Sequence, residues 1–113
     1  MIDRQKFNEY FSNFDKEIVV DIIDIFISEY DDRFVNLREN VLRKDFEKLK
    51  FNAHGLKGVI ANFMDPVTIE LSERLDKMAK NGVEDGLEKA LDDLERNSWL
   101  LLGELKKIKQ KYS

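Results

Sequence analysis

Hydrophobic residues return along this chain at intervals of three and four, the spacing that lines one face of an α-helix. A first short helix is predicted after Asp3, carrying Phe7, Tyr10, Phe11 and Phe14 and covering one end of a core. Asp15 is a fitting N-cap for a long amphipathic helix through Val19, Ile22, Phe26, Tyr30, Phe34, Leu37 and Val41, with Ile18 and Ile25 widening its apolar face toward the first helix. Asp45 then caps a stripe of Phe46, Leu49, Ala53, Leu56, Ile60 and Phe63. Met64-Asp65-Pro66 closes that helix and supplies the N-cap and first-turn proline of the next, which uses Val67, Leu71, Leu75 and Met78. Asn81-Gly82 ends it. Leu87, Leu91, Leu94, Ser98, Leu101, Leu105 and Ile108 define a last long helix whose final turns hold Lys106, Lys107, Lys109 and Lys111, cations that suit a negative helix end. Short connections force neighbouring helices to run in opposite directions. The expected fold is therefore all-α: an antiparallel up-down four-helix bundle with an additional short N-terminal helix, a single domain over residues 1–113.

Composition narrows what such a bundle does. The 113 residues suffice for one core. Charges of 19 Lys+Arg against 23 Asp+Glu, net -4, offer no strong pull toward nucleic acid or anionic lipid. There is no cysteine, hence no disulfide, thiolate nucleophile or cysteine-held zinc. Neither a signal-peptide pattern nor a membrane-length apolar run is present in the sequence, so a soluble, cytoplasmic, monomeric protein is expected. The short length and Met1 favour a free-standing protein over a module of a longer one.

The chemistry concentrates in His54-Gly55-Leu56-Lys57-Gly58, which contains the only histidine. At about 100° per residue, His54 falls roughly 130° from the centre of its helix's apolar stripe and is expected to face solvent. Two mid-helix glycines together cost about 2 kcal/mol against alanine, so something needs the space they leave. Gly58, one turn beyond the ring, clears the approach of a large group. Lys57, three residues on, can lean back and set its ammonium beside whatever the ring carries. A cation beside an exposed imidazole suits an anion better than a metal.

The run His54-Gly55-Leu56-Lys57-Gly58-Val59-Ile60-Ala61-Asn62-Phe63 resembles the histidine-containing phosphotransfer (HPt) domains of phosphorelays. It departs from that pattern at Met64, where a glycine is usual, and at the larger Val59 and Ile60. The resemblance implies that His54 accepts a phosphoryl group from a receiver domain's phosphoaspartate and passes it to another receiver. It further implies that Lys57 steadies the phosphoryl charge and Gly58 clears the docking surface. The implied partners are response-regulator receiver domains and a hybrid sensor histidine kinase. No cofactor is expected on this chain, Mg²⁺ and the acidic pocket belonging to the receiver. The chemistry agrees: free imidazole, titrating near 6.5, is largely neutral near pH 7 and attacks an acyl phosphate without a separate base. Phosphoryl transfer depends chiefly on positioning and charge stabilisation. With no GxxxxGK[ST] loop, autonomous kinase activity is not expected.

Plainer explanations set the scale for each feature. A lone surface histidine is ordinarily just that, and Lys57 could pair with a surface carboxylate worth a few tenths of a kcal/mol. Lys50, Phe51 and Ala61 are candidates for partner docking, although Phe51 could instead tuck under the neighbouring helix. Asp76 is expected as a solvated carboxylate, the alternative, implied by the layout of the family it resembles, being that it faces His54 from the next helix and accepts a ring N–H. Trp99 and Gly103 are assigned packing alone. A di-metal bundle enzyme would need Glu-x-x-His pairs, but Phe51 stands where that glutamate belongs and no second histidine exists. A serine hydrolase lacks its G-x-S-x-G elbow. The remaining alternative is a bundle that docks receivers or kinases and regulates them by occupancy, without being phosphorylated.

Overall fold

In the computed structural model, which describes residues 1–112, every regular element is helical. Helix α1 spans Arg4–Phe11, α2 Lys16–Leu42, α3 Phe46–Ile60, α4 Pro66–Asn81 and α5 Leu87–Tyr112, with a 3₁₀ turn at Ala61–Phe63 between α3 and α4. The four long helices pack in a closed ring, α2 on α3, α3 on α4, α4 on α5 and α5 back on α2. The expected antiparallel bundle with an extra N-terminal helix is therefore what the chain forms.

The helix boundaries follow from local chemistry. Asp3, Asp45 and Asp65 cap α1, α3 and α4 by accepting the backbone N–H of Lys6, Lys48 and Thr68. Pro66 begins α4, and Gly82 ends it in the left-handed region that glycine enters without strain. Asp15 occupies the N-cap of α2, but its side chain makes no capping bond. The core runs along the bundle axis through Ile23, Phe26, Leu37, Leu49, Leu56, Ile60, Leu75, Leu91, Leu94 and Leu101, each fully buried and each worth roughly 1.5–3 kcal/mol of transfer free energy.

Three expectations are corrected. Ile18 and Ile25 do not widen a face toward α1: both are half-exposed, and Ile23 enters the core instead. The reason lies in where α1 is tethered. Asp3 N–H donates to the Met64 carbonyl at 2.7 Å, and Glu104 accepts from Ile2 N–H at 3.0 Å and from Arg4 Nε at 3.2 Å. These bonds draw the N-terminal segment to the α3–α4 turn and to α5, leaving that side of α2 uncovered. In α4, Val67 is exposed, and Thr68, whose hydroxyl donates to Asp65 at 2.8 Å, is buried in its place. Phe63 reaches the core from the 3₁₀ turn rather than from α3, its ring 5.4 Å from that of Phe26. The chain then turns at Met64, with φ 58°, the left-handed conformation for which glycine is the usual residue.

Candidate functional site

Helix α3 buries Leu49, Ala53, Leu56 and Ile60 and thereby turns the opposite edge outward. His54 lies on that edge with 65% of its side chain exposed, as the helical wheel requires. The ring is nonetheless not free in solvent, because α4 sets Asp76 beside it, with Nδ1 3.6 Å from Oδ1. That separation is too long for a hydrogen bond. It closes to one if ring and carboxylate approach by about 0.6 Å.

The expectation of a solvated Asp76 is overturned: its side chain is only 3% exposed. On α4 it shares the inward edge with Leu71, Ser72, Leu75 and Ala79, so the packing of α4 against α3 removes it from water. Two ammoniums compensate, Lys80 Nζ at 3.0 Å and Lys57 Nζ at 3.2 Å, both on Oδ2. Burial pushes the Asp76 carboxyl up, but hydrogen bonds from Lys80 and Lys57 outweigh it and hold the group below its ordinary value of 3.8. Asp76 is thus an anion at neutral pH. Its Oδ1 is buried with no hydrogen-bond partner, and the nearby donor is the His54 ring. A carboxylate so placed favours the tautomer with hydrogen on Nδ1, which leaves the Nε2 lone pair, across the ring, for chemistry at the surface.

Lys57 therefore pairs with a carboxylate, but a buried one shared with His54 rather than a surface one. Lys80 was not singled out from the sequence. Its signal was there in the Asp76-Lys80 spacing of four, an intrahelical ion-pair spacing, yet it gains meaning only once Asp76 is known to be buried.

A hollow of about 490 Å³ opens beside the ring, lined by Glu47, Lys50, Phe51, His54, Gly55 and Lys80. Phe51, 79% exposed, does not tuck under a neighbouring helix, and with Lys50 it lines the same hollow as the histidine. Ala61 is exposed on the 3₁₀ turn and does not line the hollow. A Cβ built on Gly58 meets nothing within 4 Å, and one on Gly55 meets only Arg33 Nη1 at 3.7 Å, an ordinary contact. Packing inside the bundle requires neither glycine. The described residues include no group of three or more His, Cys, Asp or Glu that could hold a metal, and no helix long and apolar enough to cross a membrane.

Comparison with known proteins bears on this arrangement. No curated protein matches the chain. The crystal structure of histidine-containing phosphotransfer protein B from Pseudomonas aeruginosa PAO1 superposes with a TM-score of 0.87 at 20% sequence identity, covering 99% of this chain and 96% of that one. At that identity the likeness establishes the shared fold. The family model for the Hpt domain matches residues 21–111, a span that contains α3, α4, His54, Lys57 and Asp76. On that match, with the helical bundle to accompany it, this chain belongs to the Hpt domain family.

Proposed function

We propose that this protein is a phosphorelay intermediate in which His54 takes a phosphoryl group from the phosphoaspartate of one receiver domain and gives it to another. The observation that carries this reading is the exposed His54 ring, whose Nδ1 faces a buried carboxylate that also holds Lys57. In the acceptance step His54 Nε2 attacks phosphorus, a P–N bond forms, and the P–O bond breaks so that its electron pair returns to the receiver's carboxylate. Nε2 bears no hydrogen in the tautomer that Asp76 favours, so no proton must leave and no base is needed. The positive charge that develops on the ring is met by Asp76, whose contact with Nδ1–H strengthens as that charge grows. Donation runs in reverse and releases a neutral imidazole, a good leaving group. Lys57 balances the phosphoryl oxygens.

In this reading Gly58 keeps the docking surface clear, while Lys50, Phe51 and Ala61 belong to the surface a receiver covers. Mg²⁺ resides on the receiver, and the chain is a carrier without kinase activity of its own. It works as a cytoplasmic monomer between a hybrid sensor histidine kinase and response-regulator receivers.

The test is phosphoryl transfer from a labelled receiver domain, with His54→Gln alongside. Label on the wild type alone, lost in acid and kept in alkali, is the expected result. Binding without label across a panel of receivers would instead favour docking by occupancy, and label retained by His54→Gln would remove His54 from the reaction.

A further inference from the structure

Asp76 is held by more cation than it needs. Its side chain is 3% exposed, and a carboxylate so deeply placed cannot be left without a positive partner. One ammonium balances it, yet both Lys57 and Lys80 lie on Oδ2. The two lysines differ in where they stand. Lys57 is on α3, one turn from His54, and is the ammonium placed to follow a group on the ring. Lys80 is on α4, one turn beyond Asp76, in the acid-then-base order that an isolated helix favours, and its 48% exposed side chain borders the hollow beside the histidine. A phosphoryl group adds a charge of about -1.5 to -2. Were Lys57 the sole partner of Asp76, it could serve that new charge only by abandoning the buried carboxylate.

We propose that Lys80 is a positioning residue for phosphoryl transfer: it keeps Asp76 paired when the phosphoryl group arrives, and so releases Lys57 to the phosphoryl oxygens. The proposal rests on the phosphotransfer reading of His54. It gives the two lysines separate tasks, Lys57 toward the transferred group and Lys80 toward the carboxylate that orients the ring. It requires that Lys80 act only while Asp76 is charged.

The full chain and its Lys80→Ala, Lys80→Arg, Asp76→Asn and Asp76→Asn/Lys80→Ala variants would be phosphorylated by a phosphorylated receiver and, separately, by phosphoramidate, a small donor that needs no docking surface. Lys80→Ala should slow labelling of His54 roughly tenfold with both donors, since Lys57 is then tied to Asp76. Lys80→Arg should restore the rate to within about twofold. In Asp76→Asn the buried charge is gone and Lys57 is already free, so adding Lys80→Ala should change the rate by less than about twofold. Thermal unfolding of each variant shows whether the bundle persists, and a residue that served stability alone would not lose its effect in the Asp76→Asn background. The same tenfold loss in both backgrounds, or wild-type labelling in Lys80→Ala, would overturn the proposal. Absence of label on the wild type from either donor would instead overturn the phosphotransfer reading itself.

Discussion

Two seams at which charge joins the long helices of the bundle are built differently. Between α2 and α5, Arg38 bridges Glu95 at 2.6 Å and Asp92 at 2.9 Å, with all three side chains at least a third exposed. The Tyr30 hydroxyl donates to the Glu95 carbonyl at 3.1 Å, and burial, with help from Glu95 and Asp31, pushes that phenol up to about 12. Water can replace either carboxylate on Arg38. Between α3 and α4 the acid is buried, the cations reach it from the rim, and one of its oxygens has no hydrogen-bond partner. The first seam is saturated and screened, so it adds little beyond alignment. The second is unsaturated and dry on one side, so it is sensitive to any charge placed on the ring beside it.

The largest separation of the two seams should come from removing their cations. Lys57→Met/Lys80→Met strands Asp76 without a partner and should cost about 2–3 kcal/mol in urea unfolding, below the full penalty for a buried charge because both lysines stand partly in water. Arg38→Met also deletes two ion pairs, yet it should cost less than about 1 kcal/mol. Equal losses would show that burial of Asp76 does not matter energetically.

Acid should sharpen the contrast. Asp76 is held below its ordinary value of 3.8, so the folded state binds that proton less readily than the unfolded chain. Its contribution is in full force well above that value and is lost as pH falls through the lower folded value. The stability difference between wild type and Asp76→Asn should therefore shrink as pH is lowered from neutrality to below 3.8. A gap between wild type and Asp76→Asn that stays constant from neutrality down to well below 3.8 would contradict the assignment.

Smaller effects test the open side of the α3–α4 seam. Gly58→Ala should stabilise the bundle by about 0.5–1 kcal/mol, because the added methyl meets nothing. Gly58→Leu should keep its helicity in circular dichroism and weaken receiver binding by obstruction, and unchanged affinity would refute the clearance role. The smallest gain is expected far from both seams. Lys44, just past the C-cap of α2, has φ 53°, and Lys44→Gly should raise stability by about 0.5 kcal/mol while giving up only a loose surface pair with Glu84 at 3.6 Å.

Periodicity made most of the architecture legible. Apart from Phe63 and Val67, the stripes from Val19 to Ile108 lie buried or partly buried on the helices expected of them, since a sustained 3.6-residue repeat has one inexpensive solution. The misreadings lie where packing partners, rather than spacing, decide. Ile22 packs at the edge of the core beside the fully buried Ile23, whereas the Ile18 and Ile25 side of α2 stays bare because α1 is tethered to Met64 and Glu104. Between Val67 and Thr68 the choice is resolved by the bond from the Thr68 hydroxyl to Asp65.

By itself the sequence determined an all-helical bundle, the outward placement of His54, the lysine and glycine flanking it, and membership of the Hpt family, because local spacing and residue type carry all of these. Only the tertiary structure decided that Asp76 is buried, that it turns one oxygen to the histidine, and that Lys57 and Lys80 share the other. The physical reason is that a carboxylate's role depends on the dielectric around it and the charges within a few ångströms. Both arise here from the docking of α4 on α3, which the residues of neither helix specify alone.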